Sequence, residues 1–247
     1  MTPLVLIHGF TGSPDVWELV KPRLASRHAL LTPALPGHLG GPPLPATITD
    51  TTMVESVERA MDDAGYETAH VVGNSLGGYV ALQLAARGRA RTVTAFAPAG
   101  GWDDAAEQRA TLALNAESHA LTRGAERNAA FIASSAQGRK QALAFMAEHT
   151  DHVPAELVVQ VIRAGALCTE APRMIAFAAQ SAWPLETPKC PTRIVWGTSD
   201  KLLPWPAAAA RYRRDLAYAE WIELDGVGHC PQVDVPTIAA ELILGAT

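Results

Sequence analysis

Three residues in loops, Ser75, Asp200 and His229, have the types and the order needed to transfer an acyl group. Ser75 lies in Gly73-Asn74-Ser75-Leu76-Gly77-Gly78, between an apolar strand-like run and a helix-like one. So sharp a strand-to-helix turn strains its middle residue, and small residues two places away on either side keep neighbouring side chains clear. The hydroxyl would stand free at the strand's end, with the N–H groups of the next helix aimed at any anion forming beside it. If Ser75 only capped a helix, so many glycines would not be needed. Gly78 reads as a packing residue, small so that the helix can lie close to the sheet.

A serine hydroxyl is a poor nucleophile near neutrality and needs an adjacent base. Of the eight histidines, His229 has the best setting: it follows a strand-like run at residues 219–224 and precedes the final helical segment. His8 sits in a comparable loop, but Gly9 and Phe10 behind it give that backbone another task. His119, His149 and His152 read as surface or cap residues, and His28, His38 and His70 have no catalytic context. The acid that orients the imidazole should come from a further strand end. Asp200, after the run at 192–197, fits best and would accept the remaining ring N–H. Asp225 competes from a strand end where a local turn contact is the simpler role; Asp103 and Asp104 could serve in a rearranged site. Along the chain the three come as nucleophile, acid and base: Ser75, Asp200, His229. Acyl transfer also builds negative charge on the substrate oxygen. The backbone N–H groups of Leu76 and Phe10 are the candidate donors to it.

These loops need a scaffold, and the chain alternates apolar strands with helices. Strand-like runs at residues 3–7, 29–33, 69–73, 92–99, 192–197 and 219–226 alternate with helices at 51–64, 79–88, 205–214 and 236–244. That rhythm specifies a mostly parallel sheet covered on both faces. Ser13 followed by Pro14 reads as a helix start. From 102 to 188 the strands vanish, and four helical patterns centre on Leu112–Leu121, Leu143–Met146, Leu157–Ile162 and residues 173–182. This is read as an all-helical insertion standing over one end of the sheet.

On these residues the chain resembles the α/β-hydrolase family, in particular its esterase-like members with a helical cap. The resemblance runs over essentially the whole sequence and rests on HGF at 8–10, GNSLGG at 73–78, GTSD at 197–200 and GVGHCP at 226–231. It implies a six-stranded core in two parts, 1–101 and 189–247, around a cap at 102–188. It also implies a Ser75–His229–Asp200 triad and an oxyanion hole at Phe10 and Leu76. The expected reaction is cleavage of a small or medium hydrophobic carboxylic ester through an acyl-enzyme, with no cofactor and no metal. Family members that use a serine triad also include carbon–carbon bond hydrolases of the meta-cleavage-product type and cofactor-free perhydrolases or haloperoxidases. Haloalkane dehalogenases use an aspartate nucleophile, which Ser75 does not supply. For the carbon–carbon reaction Arg163 and Arg173 are unassigned cap cations. A ligand-binding protein on a hydrolase scaffold is the non-enzymatic alternative. Phe10, Asn74, Trp102, Met146, Trp183 and Trp205 are the candidate pocket residues.

Composition narrows the partners. The chain has 247 residues, 48% of them hydrophobic, which is enough for a large buried core. A net charge of −5 without a Lys/Arg cluster argues against nucleic acid or an anionic membrane surface as partner. No run approaches the ~20 apolar residues of a membrane span, and no signal peptide is visible at the start. Cys168, Cys190 and Cys230 are odd in number and widely spaced, fitting a reduced, cytoplasmic protein better than a disulfide framework. Cys230, beside His229, reads as a small buried side chain.

Overall fold

Six strands, each mostly apolar, form one all-parallel sheet in the computed structural model, which describes residues 1–247. They are β1 (Thr2–Ile7), β2 (His28–Leu31), β3 (Ala69–Asn74), β4 (Ala90–Phe96), β5 (Thr192–Gly197) and β6 (Glu220–Leu224), in the order β2-β1-β3-β4-β5-β6. Parallel strands covered on both faces are buried on both, hence the near-continuous apolar runs of β1, β3 and β5. The period of two divides these runs between two cores. Val5, Ile7 and Val71 pack with the helices of one face, whereas Leu4, Leu6 and Val72 pack with those of the other.

Eleven α-helices surround the sheet. Before the cap come α1 (Lys21–Leu24), α2 (Thr52–Asp63) and α3 (Leu76–Ala86); the cap supplies α4 (Ala105–Ala125), α5 (Ala129–Ala133), α6 (Ala136–Ala142), α7 (Ala155–Leu167) and α8 (Ala171–Ala178). After it come α9 (Ala210–Asp215), α10 (Pro231–Asp234) and α11 (Pro236–Leu244). The α2 helix buries Val54, Val57 and Met61 along one stripe, while α3 is buried from Gly77 to Ala86 and accordingly has almost no polar residue. A Cβ added to Gly78 would stand 3.0 Å from the Pro98 Cα, so α3 does lie that close to the exit of β4. No helix is long and apolar enough to cross a membrane.

Several local expectations shift. The strand expected to reach residue 99 ends at Phe96, because Ala97 takes a positive φ of 40° and turns the chain out of the ladder. Ser13 does not accept an N–H at a helix start; its hydroxyl donates to Asp15 Oδ2 at 2.8 Å, ahead of a short 3₁₀ turn. Residues 143–146 are not helical: α6 precedes them, started by the Ser135 hydroxyl accepting the Gly138 N–H. The chain must turn there so that Met146 O can receive the Cys230 N–H at 2.8 Å. The last cap helix begins and ends earlier than 173–182, and the 205–214 segment holds only a 3₁₀ turn and the short α9.

Candidate active site

The strand order places a crevice where the chemistry-bearing loops emerge. From β1 the chain moves outward to β2, then crosses to β3 on the other side of β1. The carboxyl ends of β1 and β3 therefore diverge, which is where ligands bind in open parallel sheets. His8, Gly9 and Phe10 leave β1 at this point, and Ser75 leaves β3.

Ser75 adopts φ 57° and ψ −119°, a conformation that side chains avoid and that costs on the order of 1–3 kcal/mol. Three hydrogen bonds hold it: Ser75 N donates to Phe96 O at 2.9 Å, and Ser75 O accepts from Ala99 N at 3.0 Å and Tyr79 N at 3.1 Å. Glycines are required around it. A Cβ on Gly77 would meet Ile7 O at 2.2 Å, and one on Gly9 would come within 3.1 Å of the Ser75 Cβ. The β1 loop is thus pressed against the nucleophile turn. Neither Phe10 N–H nor Leu76 N–H donates to a backbone carbonyl, leaving both free for a substrate oxygen.

His8 acts as a bolt for that loop. Its Nε2 accepts the Leu35 N–H at 3.0 Å, so the ring proton sits on Nδ1 and is donated to Gly9 O at 2.8 Å. Burial, aided by the neighbouring His38, pushes its pKa down to about 3 and keeps it neutral. His38 is likewise buried, with its pKa lowered to about 4, and stacks edge-on to both His8 and Phe10.

Asp200 and His229 come together as a buried pair. Asp200 Oδ2 accepts from His229 Nδ1 at 2.7 Å, and Asp200 Oδ1 accepts the N–H groups of Leu202 and Leu203 at 2.9 and 2.8 Å. The carboxylate therefore both caps its own turn and orients the imidazole. Because a carboxylate can only accept, the proton lies on Nδ1 and Nε2 is left with its lone pair. Asp225 makes no contact within its own turn; it accepts at 3.2 Å from the hydroxyl of Thr198, in the loop after the neighbouring strand β5. Asp103 pairs with Arg214, and Asp104 caps α4. Ser75 and His229 border one cavity without a hydrogen bond between them; catalytic contacts of this kind often close only on substrate.

Asn74, together with Gln232 and Asp234, which the sequence reading did not single out, holds the His229 loop. Asn74 is buried, and its Nδ2 donates to His229 O at 2.9 Å and Phe96 O at 3.2 Å, while its Oδ1 accepts from Gln232 Nε2 and the Cys230 thiol. Its amide is fully used by the protein, so Asn74 borders the second chamber as expected of a pocket residue while its side chain is held by the His229 loop, and Cys230 takes a donor role. Asp234, also buried, accepts the Gly228 N–H at 2.6 Å on one oxygen and His149 N and Nδ1 on the other, so it joins the base loop to the cap. A lone carboxylate in the apolar run QVDVP was the sequence signal for it.

Two chambers meet at Ser75. The first, about 790 Å³ including its mouth, is mainly apolar and is walled by Phe10, Leu76, Trp102, Met174, Phe177 and Trp183. Trp102 and Trp183 meet edge to face at 5.2 Å, with Tyr79 against Trp183 at 5.0 Å. The second, about 710 Å³, is more polar and contains Asn115, Thr122, Met146 and His229. Trp205 lines neither chamber. Its ring packs at a tilt between those of Trp196 and Trp221, with the Arg213 guanidinium 5.1 Å from its centre, so its place is in the packing beside β6. Arg163 is exposed, and Arg173 is held by Glu170 and the carbonyls of Pro45 and Ala46. Neither chamber is lined by a lysine or arginine.

Comparisons with known proteins agree with this fold. A family profile described as "Alpha/beta hydrolase family" matches residues 4–242. The epoxide hydrolase EphH of Mycobacterium tuberculosis is 32% identical over 79% of this chain and 94% of its own length. Among solved structures, a bacterial membrane phospholipase A superimposes with a TM-score of 0.72 at 22% identity, covering 99% of this chain and 78% of that one. A meta-cleavage product hydrolase from Pseudomonas fluorescens gives 0.71 at 18% identity, covering 99% and 90%. At such identities the structural likenesses speak for the fold alone.

Proposed function

The chain belongs to the α/β-hydrolase family, and from that premise we propose that it is a serine hydrolase cleaving hydrophobic carboxylic esters through an acyl-enzyme on Ser75. The observation that carries this reading is the imidazole of His229, held by Asp200 at 2.7 Å and bordering the same cavity as Ser75. His229 Nε2 takes the Ser75 proton as the oxygen attacks the ester carbonyl, and Asp200 stabilises the imidazolium that results. Phe10 and Leu76 N–H groups receive the oxyanion. The imidazolium then protonates the departing alcohol, and the neutral ring activates water against the acyl-enzyme.

The two chambers take different halves of the ester. His229 borders only the second, more polar chamber, and the leaving alcohol must depart beside the ring that protonates it. The alcohol therefore occupies that chamber and the acyl chain the apolar one.

Chemistry separates this reading from those of the relatives. Serine attack on an epoxide carbon would give an alkyl ether, which has no carbonyl for water to attack, so turnover would stop there. Tyr79, the only phenol lining either chamber, already donates to Pro184 O at 2.7 Å and is not free to protonate a ring oxygen. An anionic dienoate, as in carbon–carbon bond hydrolysis, would find no cation in either chamber.

With a nitrophenyl ester of a medium-length fatty acid, rapid mixing should release a burst of nitrophenol close to one per protein molecule, followed by a slower steady state. Activated esters sharing one acyl group should converge on one kcat, because the same acyl-enzyme is hydrolysed. A linear time course with no burst, together with leaving-group-dependent kcat, would leave either rate-limiting acylation or direct attack by water; trapping no acyl adduct by acid quench would then decide against the acyl-enzyme.

A further inference from the structure

The apolar chamber does not stay apolar to its end. Ser75, Tyr79 and Gln83 all line it at four-residue spacing on one face of α3. Gln83 lies eight residues beyond Ser75, about 12 Å along the helix axis. Its amide orientation is fixed by its neighbours. The Tyr79 hydroxyl gives its proton to Pro184 O, so its oxygen must accept from Gln83 Nε2 at 3.1 Å. The same nitrogen donates to Asp50 O at 3.0 Å. Both amide hydrogens are thereby used, and Gln83 Oε1 is left as a buried acceptor without a donor, in a residue only 8% exposed. Such an orphan costs on the order of 1–3 kcal/mol.

Asp50 stands beside it and also lines the chamber. One carboxylate oxygen accepts the Ser181 hydroxyl at 2.5 Å; the other has no protein donor, and the group forms no ion pair. Thus two acceptors, one of them charged, close a chamber whose walls are otherwise mostly hydrocarbon and aromatic. An unsubstituted acyl chain would put a methyl against them, leaving Gln83 Oε1 unpaired and the partly exposed Asp50 carboxylate facing hydrocarbon. A terminal carboxylate would meet like charge.

We infer that the chamber receives an acyl chain carrying a hydrogen-bond donor, a hydroxyl or an ammonium group, at its far end, held by Asp50 and Gln83. This rests on the assignment of the chamber to the acyl group of a Ser75-bound ester. Specificity of this kind arises because a buried acceptor, here Gln83 Oε1, stays unpaired when the donor is missing, a larger penalty than one methylene more or less.

The test compares nitrophenyl esters of octanoate, 8-hydroxyoctanoate, 8-aminooctanoate and the suberate monoester in the native protein and in Asp50→Leu and Asp50→Asn. The hydroxy or amino ester should exceed octanoate in kcat/KM by about tenfold or more, with the suberate ester poorest. Asp50→Leu should erase the advantage of both donors. Asp50→Asn should remove that of the ammonium while retaining part of that of the hydroxyl, which separates the two donor chemistries. Calorimetric binding of 8-hydroxyoctanol and octanol analogues (1,8-octanediol against 1-octanol) to Ser75→Ala reads the same preference without turnover. Equal kcat/KM for all chain ends, or ratios unmoved by Asp50→Leu, would overturn the inference while a burst on plain octanoate still upheld the acyl-enzyme. Preferential diol binding without any acyl-enzyme would uphold the donor site and remove the esterase reading.

Discussion

Ser75→Ala is expected to lower kcat for an activated ester by at least about 10⁴-fold while leaving the fold intact. Loss of the nucleophile removes the covalent route altogether, and what remains is the stabilisation that the Phe10 and Leu76 N–H groups give to slow attack by water. Stability should change little. The Ser75 hydroxyl has no protein hydrogen bond to lose, and alanine keeps the Cβ that the strained turn already accommodates at φ 57°. A thermal midpoint within a few degrees of the native protein, measured beside the ester kinetics, would locate the loss in chemistry. A variant retaining a tenth or more of native kcat would remove Ser75 from the reaction.

Asp200→Asn should cost about 10⁴-fold in kcat, and it is more informative than alanine. Asparagine keeps an oxygen for the Leu202 and Leu203 N–H groups, so the turn stays capped. Facing His229 Nδ1, however, its NH₂ can only donate. The ring must then present a lone pair at Nδ1 and carry its proton on Nε2, where it can no longer accept from Ser75. Asp200→Ala would instead leave two buried N–H groups unpaired and confound unfolding with catalysis. Native stability with collapsed kcat in Asp200→Asn marks the residue as the orienter of the base. Near-native kcat would reduce it to a turn cap.

The three loops were legible because each consists of a short apolar run followed at once by turn residues, and such runs announce strand ends without any knowledge of the sheet. A mostly parallel sheet followed from the same alternation, and all six strands prove parallel. What holds the loops in register was not legible. Asn74 reaches His229 O across 155 positions, and Asp234 reaches His149 across 85. Hydrogen bonds so distant leave no periodic trace: Asn74 borders the second chamber, as a pocket residue should, but that its amide holds the His229 loop had no signal in the sequence. Trp205 was misplaced for a related reason: aromatic type and nearness to Asp200 do not reveal that Arg213 and Trp221 already hold its ring. The turn at 143–146 has helical apolar spacing, but its course is set by the Met146–Cys230 backbone bond, a tertiary constraint.

The Cys side chains bear on the choice of nucleophile. Burial pushes the Cys168 thiol up to about 12 and raises Cys230 as well, so neither offers a thiolate near neutrality. In the proposed mechanism it is therefore the Ser75 hydroxyl that the imidazole activates.

The most direct measurement is peptide mapping by mass spectrometry after exposure to a fluorophosphonate, which reacts with a serine only when a neighbouring base activates it. If the hydroxyl, imidazole and carboxylate work as one unit, a single phosphonyl group attaches to Ser75, at a rate sharply reduced in Asp200→Asn and absent in Ser75→Ala. An unlabelled Ser75 in protein that still hydrolyses esters, or a label on another residue, would contradict it.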